Sequence, residues 1–279
     1  MGRRDRQPVL FLLLLTLVQA PTLASVSLDG QAVQGGLLTG QAPPDSEVTF
    51  DGKSLMVSGD GHFLVAFGRD EAEARKLVVT LPDGERWQRE LRPREREFDI
   101  QRIDGLPDEQ VTPPQEVLER IRNDASLARR ARERSDKRTE WIDGFNWPLI
   151  GRITGVYGSQ RILNGNPRAP HWGIDIAAPT GTPVKAPAGG IVTLTHDMYF
   201  SGLTIFLDHG HGLISSFLHL SEISVEEGQR IEQGELIGKV GATGRATGPH
   251  LDWRISLGDT RIDPALLLDW DANPHADAP

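Results

Sequence analysis

Beyond its first residues the chain is a succession of short apolar runs cut by turn signals. From Ser25 to about Ile103, alternating apolar and polar positions are divided by Leu28-Asp29-Gly30, Phe50-Asp51-Gly52, Ser58-Gly59-Asp60-Gly61 and Pro82-Asp83-Gly84. Asp-Gly between β-prone runs marks hairpins. The pattern therefore predicts six or seven strands and a small β-sandwich over residues 25–105. No chemical constellation stands out there, and its sole histidine, His62, reads as a surface strand residue.

Between the residues numbered 106 and 144 the pattern changes. "PPQEVLERIRNDASLARRARERSDK" opens on proline, is rich in helix formers and charges, and carries a thin apolar stripe at Val117, Ile121 and Ala125. This predicts a charged, solvated linker helix. Its arginines suit an anionic glycan or membrane less well than plain solvent.

Residues 145–270 return to β patterning, with Gly, Val, Ile and Thr in many short runs and a helical turn expected only near Pro264–Leu268. An all-β chain results: sandwich, linker helix and a C-terminal antiparallel sheet domain, with 271–279 as a disordered tail. Six histidines fall in the second β domain and a seventh, His275, in the tail, so chemistry is sought there. In "HWGIDIAAP", positions 171, 173 and 175 of an extended strand share a face. His171 and Asp175 thus flank Gly173, which has no side chain to obstruct an ion, and both types ligate Zn²⁺. In "SSFLHLSEI", His219 faces away from Leu218 and Leu220, on the side of Phe217. In "GPHLDWRIS", His250, Asp252 and Arg254 share one face while Leu251, Trp253 and Ile255 face a core. His209 and His211 in "LDHGHGL" are interleaved with glycines and read as a hairpin turn rather than a rigid metal site. Each piece alone fits an ordinary strand as well as a site.

Composition narrows the class. Thirty basic and 39 acidic residues give a net charge of −9, without the basic domain of a nucleic-acid binder. Arg3, Arg4 and Arg6, the apolar run Val9–Val18 and the small residues to Ala24 have the layout of a secretory signal peptide, residues 1–24. A periplasmic address is expected. The chain contains no cysteine, so its fold rests on its core or on a metal held by His and carboxylate.

Taken in order, "GVYGSQRILNGNPRAPHWGIDIAAPTGTPVKAPAGGIV" and "GLTIFLDHGHGLISSFLHLSEISVEEGQRIEQGELIGKVGATGRATGPHLDW" resemble the lysostaphin-type, or LytM-type, zinc endopeptidases over residues 155–253. The whole chain, with a β domain and charged helix ahead of the peptidase, resembles exported proteobacterial cell-wall peptidases. The resemblance implies Zn²⁺, with His171 and Asp175 as ligands and His219 and His250 as acid–base or transition-state-stabilising groups. It implies amide hydrolysis in the stem peptides or cross-links of peptidoglycan. Arg161, in "GSQR", could position a substrate carboxylate or form a structural salt bridge.

One position departs from the pattern. The last ligand of this family is the second His of a His-x-His, and here that residue is Asp252. Three readings stand. Asp252 ligates through a carboxylate oxygen, leaving two carboxylates that formally neutralise the ion. Alternatively the site no longer holds a metal productively, and the protein is a regulator that binds and activates a cell-wall amidase; an amidase or an inner-membrane regulator is the expected protein partner. In the third reading Asp252 is a plain strand residue paired with Arg254 or Arg161, and another group ligates. A second departure is Phe217, where many relatives carry Tyr, which removes a hydroxyl from the neighbourhood.

Overall fold

A computed structural model describes residues 26–103, 115–163, 165–273 and 275; the expected signal peptide, 1–24, lies outside them. The first unit holds seven strands: β1 (Ser27–Gly30), β2 (Leu37–Gln41), β3 (Glu47–Phe50), β4 (Lys53–Ser54), β5 (His62–Ala66), β6 (Arg75–Thr80) and β7 (Arg86–Leu91). They form two sheets, β1-β2-β5 and β4-β3-β6-β7. Phe63 and Val65 from one sheet meet Phe50, Leu77 and Val79 from the other, which is a sandwich core. Leu64 and Ala66 project from the opposite face of β5 and join the larger core that includes Trp141. A strand buried on both faces loses alternation, which is why His62–Ala66 reads as nearly continuous apolar sequence. His62 is accordingly not a simple surface residue: its ring sits edge-on to Trp141 with centroids 6.3 Å apart.

The chain continues through β8 (Ile100–Ile103), α1 (Leu118–Arg132), β9 (Arg152–Gly155), β10 (Gln160–Leu163), β11 (Asn166–Pro167) and β12 (Gly173–Ala177). After these come β13 (Pro183–Lys185), β14 (Gly190–Met198), β15 (Gly202–Asp208), β16 (Leu213–Leu220), β17 (Glu222–Ile223), β18 (Arg230–Ile231), β19 (Leu236–Lys239), β20 (His250–Leu257) and β21 (Thr260–Ile262). The main sheet runs β18-β14-β15-β16-β20-β12-β9, with β21 paired to β20, and a small sheet β13-β19-β17 packs beside it. Ile174, Ile176, Phe217, Leu251, Trp253 and Ile255 line the inner face of the main sheet. The fold is all-β with one helix among the described residues, as the patterning predicts.

Two expectations need correction. The helix is not simply solvated: Leu127, Ala128 and Ala131 pack on Leu194, Met198, Phe206 and Ile214 of the sheet's outer face. Its buried face also passes through Asp124 rather than the exposed Ala125. A helix advances 3.6 residues per turn, so a stripe read at strict four-residue spacing drifts off the packed face. Asp124 is tolerated there because its carboxylate accepts the Tyr199 N–H at 2.7 Å. Residues 271–273 are ordered, contrary to the expected tail, and of the rest of that tail only residue 275 is among the described residues. Trp270–Ala272 make a 3₁₀ turn, and buried Asn273 donates through Nδ2 to the Gly151 carbonyl at 3.0 Å.

The His209–His211 segment is a turn, and its first histidine is wholly enclosed. Nδ1 donates to the Gly189 carbonyl at 2.6 Å, so Nε2 accepts from Ser215 Oγ at 2.7 Å. Ser215 Oγ in turn accepts from Trp253 Nε1 at 3.2 Å. Burial outweighs the carbonyl contact and lowers the His209 pKa from 6.5 to about 4. A histidine neutral in the fold and protonated in the unfolded chain stabilises fully above pH 6.5 and loses that contribution as pH falls towards 4. Metal-free protein is expected to lose on the order of 3 kcal/mol across that window from this residue. Denaturant unfolding at a series of pH values checks the result.

Candidate metal centre

Strands β12 and β20 are antiparallel neighbours, and their register sets Asp175 opposite Asp252, Gly173 opposite Arg254 and Ala177 opposite His250. On the far side of β12, Gly155 of β9 lies opposite Asp175. His171 precedes β12 by two residues, and its backbone is clamped by two hydrogen bonds: its N–H to Ser159 O and its carbonyl from Gly158 N, both 2.8 Å. His171, Asp175 and Asp252 thereby bring one ligand-type atom each within 4.8 Å of one another. This is the predicted set.

His171 Nε2 and Asp175 Oδ1 are 3.2 Å apart. Both atoms are buried, and neither makes a hydrogen bond of acceptable geometry. Buried polar atoms are rarely left so. A nitrogen and a carboxylate oxygen that meet only each other, beside the directly opposite Asp252 carboxylate, fit a cation that takes the place of that contact. Burial works against charging His171, yet Asp175 and Asp252 outweigh it and raise its pKa. A divalent ion would have to displace that proton.

Two further imidazoles border the set. His250 Nδ1 donates to the Gly248 carbonyl at 2.8 Å, and its Nε2 lies 3.8 Å from Asp175 Oδ1. His219 Nδ1 donates to the Thr243 carbonyl at 2.8 Å, and the two rings are 4.8 Å apart. Backbone carbonyls fix Nδ1 as the protonated nitrogen in both rings, which leaves Nε2 of each as the basic atom. Burial lowers the His219 pKa.

The route by which His219 reaches this face corrects the sequence reading. Strict alternation places it with Phe217, which is fully buried on the core side opposite Trp253. His219 instead has φ of 64°, a left-handed conformation that breaks the alternation and turns the side chain to the His250 side. Its N–H is caught by Ser201 O at 2.8 Å. Such backbone strain in a non-glycine residue persists where surrounding contacts over-determine it. Phe217 itself faces the core, so a tyrosine hydroxyl there would not lie beside the candidate ligands.

Asp252 is 3% exposed and carries a bidentate partner. Arg254 Nε donates to Oδ1 and Oδ2 at 2.9 and 3.1 Å, and a terminal nitrogen donates to Oδ2 at 2.5 Å. Burial would raise the Asp252 pKa, but Arg254 and then the His171 and His219 imidazoles hold it below its usual value. The pairing with Arg254 expected in the third reading thus coexists with the ligand arrangement expected in the first. A carboxylate has about four lone-pair sites, enough for both. The pair also changes the charge balance, because the guanidinium offsets the second carboxylate that would otherwise neutralise a divalent ion.

Gly173 serves this pair rather than the ion. A Cβ there would fall 2.2 Å from Trp253 O and 2.6 Å from Arg254 Cγ, so its bareness lets the arginine stem cross the strand. Gly155 does the same for Asp175, whose Oδ2 would lie 2.2 Å from an added Cβ. Gly155, Thr243 and the Gly158–Ser159 clamp on His171 were not singled out from the sequence. Glycine-rich turns occur throughout the chain and carry no mark of which one approaches a carboxylate. Arg161 lies on β10, but its side chain falls outside the described residues.

The Arg254 pairing implies a specific outcome for metal-free protein. Asp252→His leaves Arg254 without its carboxylate and is expected to cost about 2–3 kcal/mol. That is at or below the foot of the 3–5 kcal/mol of a fully buried pair, because the Arg254 side chain keeps 30% of its exposure. Adding Arg254→Gln should recover part of the loss, as read by denaturant unfolding.

The model of peptidase family M23 matches residues 169–264, which contain all five site residues. The peptidoglycan DD-endopeptidase ShyA of Vibrio cholerae is 39% identical over 105 residues, 37% of this chain and 24% of its own length. The DD-carboxypeptidase/endopeptidase Mpg of Neisseria meningitidis is 42% identical over 126 residues, 44% of this chain and 29% of its own. The crystal structure of a peptidase M23 candidate from Pseudomonas aeruginosa superimposes with a TM-score of 0.65 at 32% identity. That match spans 85% of this chain and 95% of the other, so it includes the region ahead of the peptidase. The chain belongs to peptidase family M23. The matched stretch spans only about a quarter of the two curated relatives.

Proposed function

We propose that this chain is an exported zinc metalloendopeptidase of the periplasm that hydrolyses amide bonds in the stem peptides or cross-links of peptidoglycan. The observation that carries the reading is the convergence of His171 Nε2 and Asp175 Oδ1, buried and without hydrogen bonds, opposite Asp252. The names of ShyA and Mpg support the substrate class.

His171, Asp175 and Asp252 would hold the zinc. When bound, zinc supplies Lewis-acid polarisation of a carbonyl and makes water acidic enough to act near neutral pH. His250 takes or returns a proton at Nε2, with Nδ1–H anchored on Gly248 O so that the ring cannot change tautomer without losing that bond. His219, similarly anchored on Thr243 O, presents a bare Nε2 beside it; once that atom has taken the proton given up by the attacking water, the imidazolium stabilises negative charge developing on the scissile oxygen. Its lowered pKa keeps it neutral at rest. Arg254 keeps Asp252 ionised and oriented.

The test pairs metal analysis of untagged protein by mass spectrometry with digestion of purified sacculi. Bound zinc together with released muropeptide products is expected. A metal-free protein that releases none sinks the hydrolase reading in favour of a regulator acting on an amidase. Export rests on the composition of residues 1–24, and sequencing of the mature N-terminus is expected to find Ser25.

A further inference from the structure

Among the described residues, one short segment carries hydrogen bonds from the N-terminal sandwich to a candidate ligand of the metal centre. Residues numbered 156–160 lie between the sandwich and His171, and they are bonded on both sides. Towards the site, Gly158 N–H donates to His171 O and His171 N–H donates to Ser159 O, both at 2.8 Å. Towards the sandwich, Arg69 Nε donates to the Gly158 carbonyl at 2.8 Å. Gly158 is buried, with both of its backbone polar groups engaged in these bonds. The path from a sandwich side chain to the backbone of a candidate ligand is therefore two hydrogen bonds long.

Surrounding contacts hold Arg69 in place. Its guanidinium stacks over the Phe98 ring at 4.5 Å, and Arg96 lies over the same ring at 5.3 Å. Phe98 meets Tyr157 edge-on at 6.1 Å, and Tyr157 lies 6.1 Å from Trp172, the residue next to His171. Beyond Phe98, Gln160 N donates to Asp99 O at 2.9 Å, and β8 then runs parallel to β10 over four residue pairs. Arg96 itself ties the sandwich to Asp263 at 2.8 Å, and that carboxylate is almost wholly buried. The Arg69 side chain is only 9% exposed.

We propose that Arg69 is a positioning residue of the metal centre, through which the N-terminal sandwich braces the loop that carries His171. The proposal rests on the reading of His171, Asp175 and Asp252 as ligands. A ligand held in place for only a fraction of the time lowers the apparent affinity by that fraction. Asp175 and Asp252 sit on paired strands of the central sheet, so they need no such support. His171 sits outside β12, on irregular backbone, and does. The sandwich is on this account part of the active structure, and displacing it loosens one ligand of three.

The test measures zinc affinity of the full chain by competition with a chromophoric chelator, with thermal stability of the metal-free protein recorded alongside. Arg69→Met leaves the Gly158 carbonyl without its donor and is expected to weaken zinc binding on the order of 10- to 100-fold, as loss of outer supporting bonds does elsewhere. Arg69→Lys keeps a donor without the planar stack and should fall between the two. Arg75→Met is the control. Arg75 pairs with Asp51 and Glu71 within the sandwich, so its loss destabilises that unit without touching the loop. It should keep wild-type affinity. Wild-type affinity in Arg69→Met, or an equal loss in Arg75→Met, overturns the brace while leaving the metal centre standing. A wild-type chain that binds no zinc overturns the ligand reading itself, and the brace with it.

Discussion

Alanine at His171 is expected to weaken zinc binding by more than about 10²-fold, because loss of a ligand exceeds the 10- to 100-fold cost of losing an outer partner. The other two ligands are both carboxylates, and two oxygens alone make a poor site for an ion that favours nitrogen and sulfur. Sacculus digestion should fall to background with the metal. Asp175→Ala should behave alike. It removes the oxygen that lies 3.2 Å from His171 Nε2, and it also empties the space that Gly155 leaves for the carboxylate. Metal content after gel filtration and release of soluble muropeptides check both variants together. An enzyme that loses activity but keeps zinc would place these residues outside the coordination sphere.

The two histidines beside the ligands should behave differently. His250→Ala is expected to lower kcat by about 10²–10⁴-fold, the usual contribution of a positioned acid–base group, with zinc content unchanged. His219 needs a substitution that keeps its backbone. At φ of 64° an alanine adds strain of its own, whereas asparagine tolerates the left-handed region. His219→Asn should therefore lower kcat with little loss of stability. If either variant loses zinc as fully as His171→Ala, that imidazole is a ligand and the roles assigned here are exchanged. The two rings share one neighbourhood, 4.8 Å apart, so the double variant should cost less than the sum of the singles.

Much of this site was legible in the sequence because its strands are regular. On β20 the period of two places His250, Asp252 and Arg254 together and sends Leu251, Trp253 and Ile255 into the core, where all three are fully buried. The same period gives Gly173 and Asp175 one face, and His171, two residues ahead of the strand on irregular backbone, still reaches it. What periodicity cannot give is a partner across space. That Asp175 stands opposite Asp252 depends on the register of two strands separated by some 75 residues of chain. The parallel pairing of β8 with β10, and with it the support for His171, is equally non-local. Alternation puts His219 on the wrong face for a different reason. One residue of positive φ reverses the alternation, and histidine carries no compositional mark of that conformation as glycine would. Propensity marks the linker helix but not its docking, because its buried face runs through Asp124 and small alanines.

The departure at position 252 also reads differently once the strand is seen whole. The sequence offered ligation and pairing with Arg254 as alternatives. The register leaves room for both, since Arg254 crosses over Gly173 to reach a carboxylate whose neighbour across the strands is Asp175. An Asp–Arg unit carries no net charge, like the neutral imidazole it stands in for. The second carboxylate therefore need not quench a bound divalent ion.

The measurement that bears most directly on the account is zinc affinity of Asp252→Ala against wild type, by chelator competition on protein shown to be folded without metal. Ligation by Asp252 predicts a loss of more than about 10²-fold. Equal affinity in the two proteins would contradict it, leaving Asp252 as the counter-ion of Arg254 and nothing more.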